Sequence, residues 1–267
     1  MDRKPAVAGQ FYPAGSSSLQ NEVDKYLKSD MKPTKVLAAI APHAGYIYSG
    51  GVAGKVFASI EVPKRCIVLS PNHTGMGATA AVWPRGTWHI PTGAIPVDEE
   101  LASNLLKSCS ELTDDPTAHI AEHSLEVELP FMLARQPELT IVPITVSRAN
   151  MDACQKIGEA IADAVKDCAE DMLIVASTDM NHYESQKQTL EKDQKAIDRV
   201  LALDAEGLVG ICSAERISMC GVLPTAIAII ACNKLGATEA HLIKHATSGD
   251  VSGDMSAVVG YAGFVIK

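Results

Sequence analysis

Histidine and aspartate side chains follow four apolar, strand-like runs of this chain. They are His43, His73, the pair Asp179 and His182, and Asp250. The carboxyl ends of the strands in an open α/β sheet form one rim, so residues that are far apart in sequence converge there. Two histidines and a carboxylate on such a rim could hold a divalent metal ion, and further histidines could transfer protons.

His43 and His73 occupy equivalent places, each just beyond an apolar run. A single histidine in such a turn more often bonds to loop backbone than to a metal, but the repetition favours a metal pair. Asp250 lies in a loop of small residues that ends at Asp254. Such a loop is by itself typical of a turn, and its spacing is wrong for a calcium site.

Asp179 and His182 are three residues apart at the end of another strand-like run. The carboxylate could hold one ring nitrogen of His182, which would fix the tautomer and raise the imidazole pKa. His182 would then serve as a general base near neutral pH. In the alternative interpretation, residues 177–179 only cap a following helix.

A second histidine pattern, His119-Ile-Ala-Glu122-His123, matches the inverted zinc-peptidase signature H-x-x-E-H. On a helix the two histidines would share a face, and Glu122 would be the base. The pattern is short, and Pro116 places His119 at the start of the helix. We therefore rank this site below the one at the strand ends.

Cys220 and two tyrosines are further candidates for the site. Cys220 precedes Gly221 at the start of an apolar helix, where amide dipoles could stabilise a thiolate, although a buried apolar role is as common. Tyr46 and Tyr48 could line a pocket, while core packing is the usual role of aromatic residues.

Composition narrows the classes of partner and compartment. The net charge of the 267 residues is −9, and no dense Lys/Arg run occurs. Nucleic acid and anionic membrane surfaces are therefore unlikely ligands, because both need a basic footprint. The seven cysteines are scattered and form no C-x-x-C pair, which favours a reducing compartment. With no signal-peptide core and no run as long as a membrane span, we predict a cytoplasmic protein.

Strand and helix patterns alternate along the chain. Strands are predicted at 36–41, 65–70, 80–83, 87–90, 139–146, 172–176, 240–246 and 257–266. Helices are predicted at 51–60, 98–108, 119–136, 152–167, 186–203, 204–212 and 222–234. Residues 84–86 would turn a hairpin, and Pro130 should bend or break the 119–136 helix. The alternation predicts a single α/β domain over residues 1–267, with a largely parallel central sheet flanked by helices.

Several segments in order resemble the Memo family, named for a mediator of cell motility, over essentially the whole chain. The segments are Arg3-x-Pro5-x-Val7-Ala8-Gly9-x-Phe11-Tyr12-Pro13, Pro42-His43-Ala44-Gly45-Tyr46, Pro71-x-His73, Glu122-His123-Ser124-x-Glu126, Ser177-x-Asp179-x-x-His182 and Cys220-Gly221.

The resemblance implies a fold similar to that of class III extradiol ring-cleaving dioxygenases, in which two histidines and a carboxylate bind non-haem Fe(II). By this resemblance His43 and His73 match the histidine ligands. His123 and His182 match additional pocket histidines, and Asp250 matches the third ligand. The resemblance also implies a radical-SAM protein as a partner.

Three functions follow as hypotheses. The leading one is a metal-dependent redox enzyme, with Fe(II) preferred over zinc or copper, acting on a small-molecule or peptide ligand. His123, His182 and Asp179 would carry its acid–base chemistry. The second is a module that binds a peptide or phosphopeptide in the same pocket without turnover. The third is a zinc hydrolase that uses Glu122 as base.

Overall fold

The strand-like apolar runs form the centre of one large sheet. The computed structural model describes residues 1–30 and 32–267. The strands are β1 (Asp2–Arg3), β2 (Ala38–Ala41), β3 (Arg65–Pro71), β4 (Ala80–Val82), β5 (Thr87–Ile90), β6 (Gly93–Pro96), β7 (Thr113–Asp114), β8 (Thr140–Val146), β9 (Met172–Ser177), β10 (His182–Glu184), β11 (Ala240–Thr247) and β12 (Val258–Ile266). The helices are α1 (Ser16–Leu27), α2 (Tyr46–Ser59), α3 (Glu99–Ser108), α4 (Leu129–Arg135), α5 (Met151–Asp167), α6 (Gln186–Leu201), α7 (Ala205–Ala214), α8 (Val222–Leu235) and α9 (Gly249–Ser252).

The main sheet is mixed. Its strand order is β10-β12-β2-β9-β3-β8-β4-β7, and β11 pairs with β12. The inner strands β2, β9, β3 and β8 run parallel, whereas β12 and β4 run antiparallel to their inner neighbours. Helix α8 packs on β3 and β9, and α2 packs on β2 and β12. The prediction of an α/β fold is confirmed, with antiparallel strands added outside the parallel centre.

The predicted hairpin around residues 84–86 is wrong. Strand β4 joins the main sheet beside β8, while β5 lies in a separate sheet between β1 and β6. Trp88 and Ile90 are the buried members of β5, and the guanidinium of Arg3 lies 4.1 Å from the Trp88 ring centroid. Burial of Trp88 beneath the N-terminal segment therefore gives β5 a different partner from the one that sequence proximity indicates.

The predicted helix over residues 119–136 is also wrong. Short 3₁₀ turns cover Pro116–His119 and Glu126–Glu128, and α4 begins only at Leu129. Proline lacks a backbone N–H and is tolerated in the first turn of a helix, so Pro130 defines where α4 can start. Residues 120–125 form an irregular segment. The Glu122 side chain stabilises it by accepting hydrogen bonds from the backbone N–H and the hydroxyl of Ser124.

The sheet brings three strand ends to one place. β2, β9 and β3 are adjacent and parallel, and His43, Asp179 and His73 each lie two residues beyond the end of one of them. This is the rim at which the sequence predicts a site. Among the described residues, no helix combines the length and the apolar character needed to cross a membrane.

Candidate metal centre

Three histidines meet at this rim. One ligand atom from each of His43, His73 and His123 lies within 4.8 Å of the other two. The ring centroids of His43 are 5.3 Å from His73 and 5.4 Å from His123, and those of His73 and His123 are 4.7 Å apart. His43 is buried, whereas the His73 side chain is 35% exposed. The cluster therefore opens to solvent on the His73 side.

Glu122 anchors two of the three imidazoles from behind. Its Oε1 atom accepts a hydrogen bond from Nδ1 of His73 at 2.9 Å and lies 3.4 Å from Nδ1 of His123. Its Oε2 atom accepts from the His73 backbone N–H. Burial by itself would raise the carboxyl pKa, but the hydrogen bond and charge of His73 and the donors of Ser124 outweigh it and lower that pKa. Glu122 is therefore an anion beside the cluster.

His43 is held by the neighbouring strand end. Its Nδ1 lies 2.7 Å from the Ser177 hydroxyl, and its backbone N–H donates to Oδ1 of Asp179 at 2.9 Å. Its Nε2 lies 3.3 Å from Sγ of Cys220. In all three histidines Nδ1 faces a polar group, which leaves Nε2 as the available ligand atom. Metal-binding histidines are usually oriented in this way by an outer partner.

Burial and Glu122 set the charge of the cluster. Burial lowers the pKa of His43 well below its ordinary value, and it lowers the pKa of His123 as well. For His73 burial also acts downward, but the hydrogen bond and charge of Glu122 outweigh it and raise the pKa. His43 and His123 are thus neutral imidazoles at neutral pH, the form that binds metal.

Asp250 is not in the cluster, which corrects the predicted ligand set. It is exposed on the short helix α9, where its Oδ2 accepts a hydrogen bond from the Thr247 backbone N–H at 2.7 Å. The loop of small residues forms a helical turn that ends at Gly253 with a φ of 77°. The Asp250 carboxylate bonds within that turn, and His123 is the third residue of the cluster.

The predicted hydrogen bond between Asp179 and His182 is also wrong. Asp179 accepts from the backbone of His43, and Nδ1 of His182 is buried without a partner among the described residues. Burial lowers the pKa of His182 instead of raising it. Burial also raises the pKa of Asp179 to about 7. No helix follows Asp179 directly, because His182 begins strand β10, so the capping interpretation fails too.

His119 lies apart from the cluster, so the zinc-peptidase hypothesis is wrong. Its Nε2 bonds to the Ala81 carbonyl at 3.0 Å and its Nδ1 lies 3.2 Å from the Thr145 hydroxyl. The ring packs edge-on to Trp83 and Trp88. His119 ends a 3₁₀ turn and is fully buried, so it cannot share a helix face with His123.

Known proteins match the chain along its whole length. A family model described as Memo-like protein matches residues 3–265. The chain belongs to the Memo family. MEMO1 family protein MK0963 of Methanopyrus kandleri is 41% identical over 281 residues, covering 100% of this chain and 99% of that protein. MEMO1 family protein MTH_45 of Methanothermobacter thermautotrophicus is 38% identical over 274 residues, covering 98% and 99%.

One solved structure shares the fold of this Memo-family chain. It is the crystal structure of uncharacterized protein JW3007 from Escherichia coli K12, with a TM-score of 0.52 over 86% of this chain and 100% of that chain. The sequence identity is 13%, so the likeness concerns the fold alone.

The remaining predicted site residues differ in their positions. Cys220 lies at the cluster, where burial raises its thiol pKa and keeps it protonated, which favours the buried apolar interpretation over the thiolate. Tyr46 is a core residue whose hydroxyl donates to the Val127 carbonyl, so it does not line the site as predicted. Tyr48 is 40% exposed at the start of α2.

The sequence analysis gave two residues of the site no role of their own in it. Ser177 and Glu128 are fully buried and hydrogen bonded to each other behind His43. Serine at the end of a strand gives no distinctive signal. Glu128 occurs in Glu126-Val-Glu128, two residues before Pro130, and two acidic residues in such a place are typical of a helix start. Burial of both could be read only from the structure.

Proposed function

We propose that this Memo-family protein is a metal-dependent oxidoreductase whose divalent metal ion is bound by His43, His73 and His123. The observation that supports it is the convergence of three imidazoles, whose ligand nitrogen atoms lie within 4.8 Å of one another. Nitrogen ligands lie about 2.0–2.1 Å from a bound ion, so a small inward shift of the rings brings all three onto one ion. Three ligands on one side of an ion leave positions open for a substrate.

The charges around the cluster suit a cation. The neutral imidazoles of His43 and His123 offer their lone pairs. The Glu122 anion lies beside Nδ1 of His73 and Nδ1 of His123. Cys220 lies 3.3 Å from Nε2 of His43, where a bound cation would lower its pKa and make the sulfur a ligand as well. The donor set thus fits a divalent transition metal better than calcium or magnesium, which prefer oxygen.

Iron is the metal that we infer, acting on a small-molecule substrate. Imidazole also binds zinc and copper, and the resemblance to non-haem iron dioxygenases is the reason for preferring iron. Bound ferrous iron would pass electrons from the substrate to O₂, which is reduced as the substrate is oxidised. His182, whose pKa burial lowers, is neutral at pH 7 and is the base that takes a proton from the bound substrate.

Metal analysis of protein purified without oxygen tests the proposal. We expect about one equivalent of iron in the unaltered protein and a loss of tight binding in H43A, H73A and H123A. H119A is the matched control, because His119 is buried but bonds to Ala81 and Thr145. Protein that stays metal-free after incubation with ferrous, zinc and cuprous ions would refute the proposal. Zinc with hydrolysis that needs no O₂ would replace it with a hydrolase.

A peptide-binding function is the second candidate. Four large apolar side chains near the site histidines in sequence are exposed, namely Ile47 (65%), Met76 (49%), Ile120 (59%) and Tyr183 (77%). Exposed apolar side chains near a site are typical of surfaces that bind other molecules. Saturable binding of an apolar peptide that persists after chelation, without any turnover, would favour this candidate.

A further inference from the structure

Glu128 is a buried acid that has no role in the proposed metal site. It lies at the start of α4 with no exposed surface. Its Oε1 atom is 2.7 Å from the Ser177 hydroxyl, and its Oε2 atom has no partner among the described residues. Within the described part of the chain no cation pairs with it, since the buried Arg3 pairs with Glu126 instead. An ionised carboxylate in such surroundings would carry a large desolvation cost.

The Ser177 hydroxyl oxygen has three polar neighbours. They are Nδ1 of His43 at 2.7 Å, Oε1 of Glu128 at 2.7 Å and the Ser124 carbonyl at 2.9 Å. A hydroxyl has one hydrogen to donate and two lone pairs that accept. For all three contacts to be hydrogen bonds, the serine hydrogen must go to the Ser124 carbonyl, because a carbonyl can only accept. The other two neighbours must then donate, because only lone pairs remain on the Ser177 oxygen.

One arrangement of protons therefore satisfies all three contacts. His43 carries its hydrogen on Nδ1, and Glu128 is a neutral carboxylic acid whose O–H points to Ser177. An ionised Glu128 would take the serine hydrogen, deprive the Ser124 carbonyl of its donor and leave a charged oxygen buried without a partner. Burial raises the pKa of Glu128 well above its ordinary value, in agreement with the neutral form.

We infer that Glu128 is a positioning residue that, as a neutral acid acting through Ser177, keeps the His43 proton on Nδ1 and so presents the Nε2 lone pair to the metal ion. The part of this inference that concerns metal rests on the proposed function. The proton arrangement does not, because it is a property of the metal-free protein.

The tautomer of His43 can be measured directly in metal-free protein. Long-range ¹H–¹⁵N NMR spectra of histidine-labelled protein, with the His43 signals assigned by their loss in H43Q, should show Nδ1 protonated and Nε2 unprotonated. S177A should shift His43 to a mixture of tautomers. S70A is the matched control, since Ser70 is also fully buried but bonds to Thr145. An unprotonated Nδ1 in the unaltered protein would overturn the inference.

Two substitutions of Glu128 separate its donor function from its bulk. E128Q keeps an N–H donor toward Ser177, whereas E128M keeps the volume and removes the donor. We expect E128Q to retain the His43 tautomer and to bind Co²⁺ within about threefold of the unaltered protein, and E128M to lose the tautomer and bind about 10–100-fold more weakly. If E128Q behaves like E128M, Glu128 acts as an anion and the inference fails.

An unchanged His43 tautomer in E128M would also refute the inference about Glu128. Should the unaltered protein bind no Co²⁺ or Fe²⁺, the proposed function fails, while the tautomer measurements still decide the role of Glu128. S177A tests the same arrangement if E128M does not fold.

Discussion

Glu122 is the residue whose position gives the histidine cluster its form. Its two carboxylate oxygens accept from the ring and backbone of His73 and from the backbone and hydroxyl of Ser124. The lowered pKa of its carboxyl group makes Glu122 a poor proton acceptor at neutral pH, whereas the zinc-hydrolase hypothesis gave it the role of base. Its chemistry is to orient imidazoles and to add one negative charge next to a cation.

Replacing Glu122 with glutamine should weaken metal binding without removing any ligand. The amide removes the charge and turns one acceptor into a donor that faces the donors of His73 or Ser124. We expect about 10–100-fold lower affinity for Co²⁺. The pKa of His73, which Glu122 raises, should fall, and an NMR titration of the metal-free variant checks this. An unchanged His73 pKa with full metal affinity would contradict the anchoring role.

A pair of substitutions decides between the predicted and the observed third ligand. His123→Asn should remove tight metal binding, because it deletes one of three nitrogens in the cluster. Asp250→Asn should leave metal content unchanged, because that carboxylate is exposed and bonds within its own helical turn. Metal analysis of both variants, with folding checked by circular dichroism, gives the answer. Metal lost only from the Asp250 variant would restore the original prediction.

At the scale of elements, hydrogen bonds from the N-terminal segment stabilise the loop that carries His123. The Arg3 guanidinium donates to the carbonyls of His119 and Glu122 at 2.8 and 2.5 Å and to Glu126 at 2.6 Å. Glu126 also accepts from the Ala6 and Val7 backbone. Residues 120–125, between the two 3₁₀ turns, contain no helix that could position Glu122 and His123, so the Arg3 side chain replaces regular backbone bonding.

Arg3→Met should destabilise the protein and loosen the cluster together. Removing one partner of a buried ion pair leaves the other uncompensated and costs about 3–5 kcal/mol. Urea unfolding measures that loss, and a Co²⁺ titration should show weaker binding. Lys35→Met is the control, since its ion pair with Asp171 is exposed and should matter by about 1 kcal/mol or less. A destabilised Arg3 variant with full metal affinity would show that the Arg3 contacts stabilise the fold but do not position the metal ligands.

Regular elements also determine which site residues could be predicted from the sequence. His43 and His73 were found because apolar runs reveal strands, and parallel strand ends must share a rim. The places of His123 and Asp250 could not be predicted in this way, because their segments have no periodic pattern and side-chain hydrogen bonds decide their shape. The pairing of β5 likewise depended on burial of Trp88 beneath Arg3, a contact between distant residues that no local pattern records.

For the whole molecule, several histidines are held neutral at once. Burial lowers the pKa of His43, His119, His123 and His182. Each of them binds a proton more readily in the unfolded chain than in the folded protein. The contribution of these four histidines to stability is therefore fully present above the unfolded histidine pKa of about 6.5 and is lost as the pH falls below it.

His119 isolates this effect from metal binding, because it lies outside the cluster and burial lowers its pKa to about 3. Its contribution to the free energy of unfolding should fall by about 2 kcal/mol between pH 7.5 and pH 5. His119→Gln should be less stable at pH 7.5, through loss of its bonds, but should lose about 2 kcal/mol less on acidification. Urea unfolding of metal-free protein at both pH values is the measurement. If the His119 variant loses as much stability as the unaltered protein, His119 is not held neutral by burial.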